Sequence, residues 1–117
     1  MRRWLRCRIV LVLAAATLAA PAVGGAVQSF DLPVRGGELP ASLRVVRVQK
    51  GDSIVLRFTS DAPLTIHLHG YDVERRLSPE APATMELQAV ATGRFPIEVH
   101  GSSHHHHVLG HLEVHPR

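Results

Sequence analysis

Apolar and polar residues alternate along most of the chain after residue 26, and this two-residue period restricts the fold more than any other feature. Successive side chains of a β-strand point to opposite faces, so the alternation predicts strands with one buried face. Turn-forming residues such as Lys50-Gly51-Asp52 separate the segments at short intervals, which is typical of an all-β sandwich or barrel. No segment in this region has a convincing helical period, and 74–82 is predicted to be a polar loop. We predict strands over 27–34, 43–49, 53–58, 64–69, 84–90, 94–100 and 108–114.

The first 26 residues differ from the rest and have the outline of a signal peptide. A segment with four arginines and no acidic residue, 1–8, precedes the nearly continuous apolar run 9–20. Small residues allow cleavage after Ala22 or after Ala26, and the sequence does not choose between them. The apolar run is shorter than the roughly 20 residues of a permanent membrane span. We therefore expect 27–117 to form one domain that is periplasmic or secreted and is not held in a membrane.

Charge and cysteine content exclude several classes of partner and site. Removing the four leader arginines from 13 basic residues leaves nine against ten acidic ones, a net charge of about −1 with neutral histidines. This balance gives no reason to expect a nucleic-acid partner. The single cysteine, Cys7, lies in the leader. The mature chain therefore has neither a disulfide nor a thiolate ligand for a metal.

Histidines are the most distinctive residues, because all nine lie between positions 67 and 115. His67 and His69 share the polar face of one predicted strand, with roots about 6.5 to 7 Å apart, so both rings can approach one ion at about 2.0 to 2.1 Å. His100 and His111 point outward on two further predicted strands. If these strands are neighbours in one sheet, the histidines form a patch on its exposed face. The candidate metal ligands are His67, His69, His100, His104, His105, His106, His107 and His111.

The run from His104 to His107 is predicted to lie at the rim of that patch, and we interpret it as native although it resembles a short purification tag. Adjacent side chains cannot all face one ion, so we expect two of the four to bind while the others form a loose capture surface. His115 is expected to be ordinary solvated surface.

Neutral imidazoles with nearby carboxylates suit copper(II), zinc or nickel, and divalent affinity peaks at copper. Without a sulfur ligand the site cannot be of the strongly coloured electron-transfer type. Its affinity should fall at acidic pH, because protonated imidazole cannot ligate. Catalysis has little support: sequence places no Ser-His-acid arrangement, phosphate loop or cysteine nucleophile, so we do not expect an enzyme.

Three segments, 48–56, 69–72 and 92–99, resemble cupredoxin-like domains, the fold of blue copper proteins and multicopper oxidase modules. The resemblance covers nearly all of the chain after the leader and implies a Greek-key β-sandwich with an exported, copper-related role. It implies that His69 is the first copper histidine and that His67 is a second. In blue copper proteins the strand corresponding to 94–99 closes with the ligand cysteine, whereas this chain has Val99 followed by a histidine-rich loop without methionine.

These features together predict an exported copper-binding protein for copper capture, storage or delivery, with a histidine-rich site that is not a type 1 centre. Its partners would be the metal ion and a copper transporter or copper enzyme. Two alternatives remain open: an interaction module that kept the fold without the metal, and a zinc-binding periplasmic protein.

Overall fold

The structure, a computed structural model, describes residues 27–100 and 106–117 together with the isolated residue 19. The predicted leader, 1–26, therefore lies outside the described residues except for that one position. Within the described part, no helix has the length and apolar character needed to cross a membrane. The elements in chain order are β1 (Val27–Val34), a 3₁₀ turn (Ala41–Leu43), β2 (Val45–Gln49), β3 (Ser53–Ser60), β4 (Leu64–Leu68), β5 (Val73–Leu77), β6 (Ala83–Gln88), β7 (Gly93–His100) and β8 (His106–His115).

The strands form two sheets, one with the order β1-β3-β6 and one with the order β2-β8-β7-β4-β5. Strand β1 runs parallel to β3, and β2 runs parallel to β8, while the other neighbouring strands are antiparallel. Parallel neighbours cannot be joined by a tight hairpin, so the chain crosses between the sheets to make these pairs. The predicted all-β, Greek-key β-sandwich is confirmed.

The core lies between the sheets and comes from the alternation seen in the sequence. On β3 the side chains of Ile54, Leu56 and Phe58 are fully buried, and Ile66 and Leu68 on β4 face them from the other sheet. Fully burying a side chain of this size contributes about 1.5 to 3 kcal/mol. Because these apolar residues occupy one face of each strand, the polar residues between them are held on the outside of the sandwich.

One predicted loop is wrong in its first half. Residues 74–82 were expected to be loop, but Val73–Leu77 is a strand that pairs with β4 along its whole length. The three successive charged residues Glu74, Arg75 and Arg76 interrupt the alternation of apolar and polar residues, so the sequence does not indicate a strand here. They are tolerated because β5 is an edge strand, so only its end residues pack toward the core.

Smaller differences concern strand ends and Pro96. The second strand begins at Val45 rather than at residue 43, because 41–43 forms the 3₁₀ turn. The last strand is longer than predicted and covers His106–His115. We expected Pro96 at a sheet edge or at an irregularity, since proline has no N–H for a ladder. The predicted position at a sheet edge is wrong, because β7 is a central strand. An irregularity in the pairing does lie next to Pro96, as expected.

That irregularity is a β-bulge between β7 and β8. Ile97 pairs with Gly110 and Glu98 pairs with Val108, which leaves Leu109 as an extra residue. Leu109 is buried, whereas Val108 is exposed. An extra residue reverses which positions of a strand face outward. As a result, His106 lies on the outer face of the sheet opposite His100.

Candidate metal centre

Strands β4, β7 and β8 are neighbours in the five-stranded sheet, as the patch hypothesis requires. His67 is paired with Glu98, and His100 is paired with His106, so these side chains share the outer face. His69 follows β4 directly, and its N–H donates to the Pro96 carbonyl at 3.0 Å, which keeps its backbone against β7. We call the set His67, His69, Glu98, His100 and His106 the outer-face patch.

The rings of the outer-face patch are in contact. Ring centroids are 4.3 Å apart for His67 and His69, 6.3 Å for His67 and His100, and 4.2 Å for His100 and His106. Glu98 lies among them, with Oε2 at 2.9 Å from Nε2 of His69 and 3.9 Å from Nε2 of His100. Two imidazoles therefore lie beside the carboxylate, and the rings of His67 and His106 extend the cluster through contacts with those two.

Two nitrogens of this set have no hydrogen-bond partner. Nε2 of His69 and Nε2 of His100 are both shielded from solvent, yet neither makes a hydrogen bond within the described residues. The 2.9 Å contact of His69 with Glu98 is short, but the ring nitrogen is not well aimed at the oxygen. Buried polar atoms are normally paired, so each orphaned nitrogen needs an explanation.

The histidine nitrogens and the carboxylate oxygens of the described residues are not arranged as a complete metal site. Among residues 27–100 and 106–117, no three histidine or acidic side chains converge on a single point as a metal centre requires. Ring and carboxylate rotations would be needed to bring them together. The side chains are part-exposed, at 42% for His69, 34% for His100 and 28% for Glu98, so they have room to rotate.

The charge of Glu98 is favoured by its neighbours. Its pKa lies below the ordinary value for glutamate, first because of the polar contact with the His69 side chain and then because of the charge of His69, His100 and His106 when protonated. Burial acts in the opposite direction and is outweighed. The carboxylate is therefore charged and ready to accept a cation at neutral pH.

A tight turn, His69-Gly70-Tyr71-Asp72, supports one side of the patch. Gly70 has a φ of 83°, and a Cβ there would overlap the Phe95 ring, so only glycine fits. Tyr71 packs edge-on against Phe95 with ring centroids 4.9 Å apart. The turn brings Oδ1 of Asp72 to 3.2 Å from Nε2 of His67, which orients that ring.

The other candidate histidines lie elsewhere. His107 faces the opposite way from His106, and its Nε2 is 2.7 Å from the Gly37 carbonyl oxygen. His111 is on the outer face beside Pro96, where its Nδ1 is 3.3 Å from Nη2 of Arg94 rather than near another imidazole. The predicted ligands His104 and His105 lie outside the described residues.

A second carboxylate occupies the other end of the same face. Glu113 on β8 lies between Arg47 on β2 and Arg94 on β7, with shortest contacts of 3.2 and 3.9 Å. His115 adds a contact of 3.3 Å. We call Arg47, Arg94, Glu113 and His115 the arginine row.

The candidate ligands predicted from the sequence are all histidines. Glu98 of the outer-face patch was not among them, and neither were Asp72 and Glu74, which lie beside His67. Glu74 pairs with His67 across β4 and β5, which a polar loop at 74–82 would not allow. The period of two did carry a signal for Glu98, because it places that residue on the same face as His100.

No protein-family model and no curated protein sequence matches the chain. Solved structures do match its fold. A copper binding protein in the apo form, solved by NMR, has a TM-score of 0.60 at 16% identity, and the match covers 78% of this chain and 90% of that protein. A chain of a heme-copper terminal oxidase dimer has a TM-score of 0.61 at 17% identity, covering 87% and 78% of the two chains.

A multicopper oxidase has a TM-score of 0.56 at 20% identity, and the match covers 77% of this chain. This chain spans only 42% of that oxidase. Identities this low indicate the fold alone. With two sheets in this strand order and these structural neighbours, the chain has a cupredoxin-like fold, as its sequence resemblance implied.

Proposed function

We propose that this chain is an exported copper-binding protein that captures, stores or delivers copper through the outer-face patch, without a type 1 centre. Residues 1–26 would be a signal peptide cleaved after Ala22 or Ala26, and the product would be periplasmic or secreted. A copper transporter or copper enzyme would be the partner that supplies or receives the metal.

The observation that carries the proposal is the pair of orphaned nitrogens. Nε2 of His69 and Nε2 of His100 are shielded from water and make no well-aimed hydrogen bond within the described residues, and both are near the Glu98 carboxylate. A cation between them would satisfy both nitrogens and the negative charge at once. His67 and His106, each in ring contact with one of these histidines, would supply further nitrogen ligands.

The donor chemistry supports copper among the possible cations. Imidazole is a borderline ligand, and affinity for divalent ions at such sites peaks at copper. The similar solved structures are a copper binding protein and copper-containing oxidases, which supports the same metal. Binding rather than oxidation is favoured, because the match covers 90% of the copper binding protein but 42% of the multicopper oxidase.

The test is a copper(II) titration of the purified, tag-free protein, followed by electron spin resonance and equilibrium dialysis, with zinc(II) in parallel. We expect stoichiometric copper binding that is lost in the double variant His69→Ala, His100→Ala. A matched control is His111→Ala, His115→Ala, which removes two histidines from the same sheet face but outside the patch. That control should bind copper as the parent protein does.

Other results would decide for the alternatives. Tighter binding of zinc than of copper would favour a zinc protein, and no binding of either metal at micromolar concentration would favour an interaction module. Copper binding that survives the double variant would move the site to the histidine run at 104–107. Mass spectrometry of the exported product should give a chain that starts at residue 23 or residue 27.

A further inference from the structure

Resting on the proposed function, we infer that Glu98 is itself a metal ligand, together with His69 and His100, and that it makes the site selective for oxidised copper(II) over copper(I). Glu98 lies on a central strand between the two histidine-bearing strands β4 and β8.

The Glu98 carboxylate lies within reach of both orphaned nitrogens. Oε2 of Glu98 is 2.9 Å from Nε2 of His69 and 3.9 Å from Nε2 of His100. With metal–ligand bonds of about 2.0 to 2.1 Å, two donors to one ion lie about 2.9 to 4.1 Å apart. Glu98 is therefore close enough to share an ion with either histidine once the side chains rotate.

The chemistry of Glu98 separates the two oxidation states of copper. A carboxylate adds a negative charge, which stabilises a divalent ion more than a monovalent one. A set of imidazole nitrogen and carboxylate oxygen donors is typical of copper(II). Glu98 therefore favours copper(II) over copper(I) by its charge and by its ligand type.

Copper(I) lacks its preferred ligands here, because it favours thiolate and thioether sulfur over imidazole and carboxylate. After residue 26 the chain contains no cysteine and one methionine, Met85. Met85 is fully buried on β6 of the three-stranded sheet, away from the outer-face patch. Reduction of bound copper would therefore weaken binding, and a reducing partner would release the metal.

The experiment compares Glu98→Gln with Glu113→Gln in two competition titrations. One uses copper(II) against a copper(II) chelator, and the other uses copper(I) under anaerobic, reducing conditions against a copper(I) chelator. Glu113 is the matched control, since it is a part-buried carboxylate on the same sheet face with arginine rather than imidazole neighbours. Circular dichroism would verify that each variant is folded.

We expect Glu98→Gln to lower copper(II) affinity about 10- to 100-fold, the size of loss seen when groups at a metal site are removed. The electron spin resonance spectrum should change as an oxygen ligand is lost, and copper(I) affinity should stay within about twofold. Glu113→Gln should alter neither affinity nor spectrum. The conservative variant Glu98→Asp should restore part of the copper(II) affinity.

Parent-like copper(II) affinity and spectrum in Glu98→Gln would overturn the ligand role while leaving the proposed function intact. Tighter binding of copper(I) than of copper(II) by the parent protein would overturn the selectivity. Absence of any copper binding by the parent protein would overturn the proposed function and this inference together.

Discussion

Glu98 and Glu113 occupy similar positions with opposite chemical surroundings. Each lies on the outer face of the five-stranded sheet and is part-buried, with side-chain exposures of 28% and 19%. Glu113 is flanked by Arg47 and Arg94, while Glu98 is flanked by imidazoles. The same sheet geometry thus produces an ion-pair row at one end and an unsatisfied cluster at the other.

The two carboxylates differ in whether the side chains beside them have a lone pair to offer a metal ion. A guanidinium group stays protonated and only donates hydrogen bonds, so the Glu113 carboxylate already has cationic partners, and Arg47 and Arg94 have no lone pair to offer a metal ion. A neutral imidazole has one acceptor nitrogen, so the histidines of the outer-face patch keep lone pairs of the kind that metal ions use. Position on the sheet brings the groups together, and residue type decides between stabilisation and binding.

Charge reversal should separate the two carboxylates most strongly. Glu98→Lys replaces the central anion of the patch with a cation, and copper(II) affinity should fall more than about 100-fold, beyond the usual loss from removing a supporting group. Glu113→Lys places three cations side by side and should lower the free energy of unfolding by about 1 to 2 kcal/mol without changing copper affinity. Copper titration and urea denaturation measure the two effects.

If both variants lost copper equally, the two ends of the face would act as one electrostatic surface, and Glu98 would have no separate role in binding. If Glu98→Lys kept copper, the patch would not be the site.

The turn that supports the patch gives the next largest effect. Gly70→Ala forces a side chain onto a φ of 83° and into the Phe95 ring, so we expect a loss of about 1 to 3 kcal/mol in unfolding free energy, together with weaker copper binding. Gly36→Ala is the control, because its φ is also positive, at 58°, but its added Cβ would meet no atom within 4 Å. It should cost less and leave copper binding unchanged, and equal costs would contradict the role of Phe95.

Removing the arginine row should have a small effect on stability alone. The side chains of Arg47 and Arg94 are mostly exposed, and exposed ion pairs contribute about 0 to 1 kcal/mol. The double variant Arg47→Ala, Arg94→Ala should therefore unfold within about 1 kcal/mol of the parent protein and bind copper normally. Denaturation at low and high salt checks this, and the difference should shrink as salt increases. A change in copper affinity would link the two ends of the sheet.

The smallest expected effect is the pH dependence of the metal-free protein. The pKa of Glu98 is lowered in the folded state, so its carboxylate stabilises the fold above the unfolded pKa of about 4.3. That contribution is lost as the pH falls through the lower folded pKa. Urea denaturation from pH 6 to pH 3 should give a difference between parent and Glu98→Gln that shrinks below about pH 4. A difference that grew on acidification would contradict the charged contact.

The sequence predicted the sandwich well, because a period of two and the turn residues between strands are local signals. Strand β1 was placed at 27–34 as it is found, and on the last strand Leu112 and Val114 are buried on either side of the part-exposed Glu113. Strand β5 was not predicted, because three successive charged residues interrupt its two-residue period, and an edge strand tolerates them.

The site was predicted only in part, because its assembly depends on strand order. Sequence placed His67, His69 and His100 outward, and the sheet order brings them together. It could not separate His106 from His107 or exclude His111, since those outcomes depend on pairing registers between distant segments. Their role as metal ligands remains a prediction.

The extra residue Leu109 shifts the alternation of outward and inward side chains along β8 by one position. Downstream of it, odd-numbered residues face outward, and upstream of it, even-numbered ones do. Inserting one residue between His107 and Val108 would shift the upstream alternation by one position and exchange His106 for His107 opposite His100 in the patch. A change of a single codon could thus alter the composition of the site while every histidine stays in the chain.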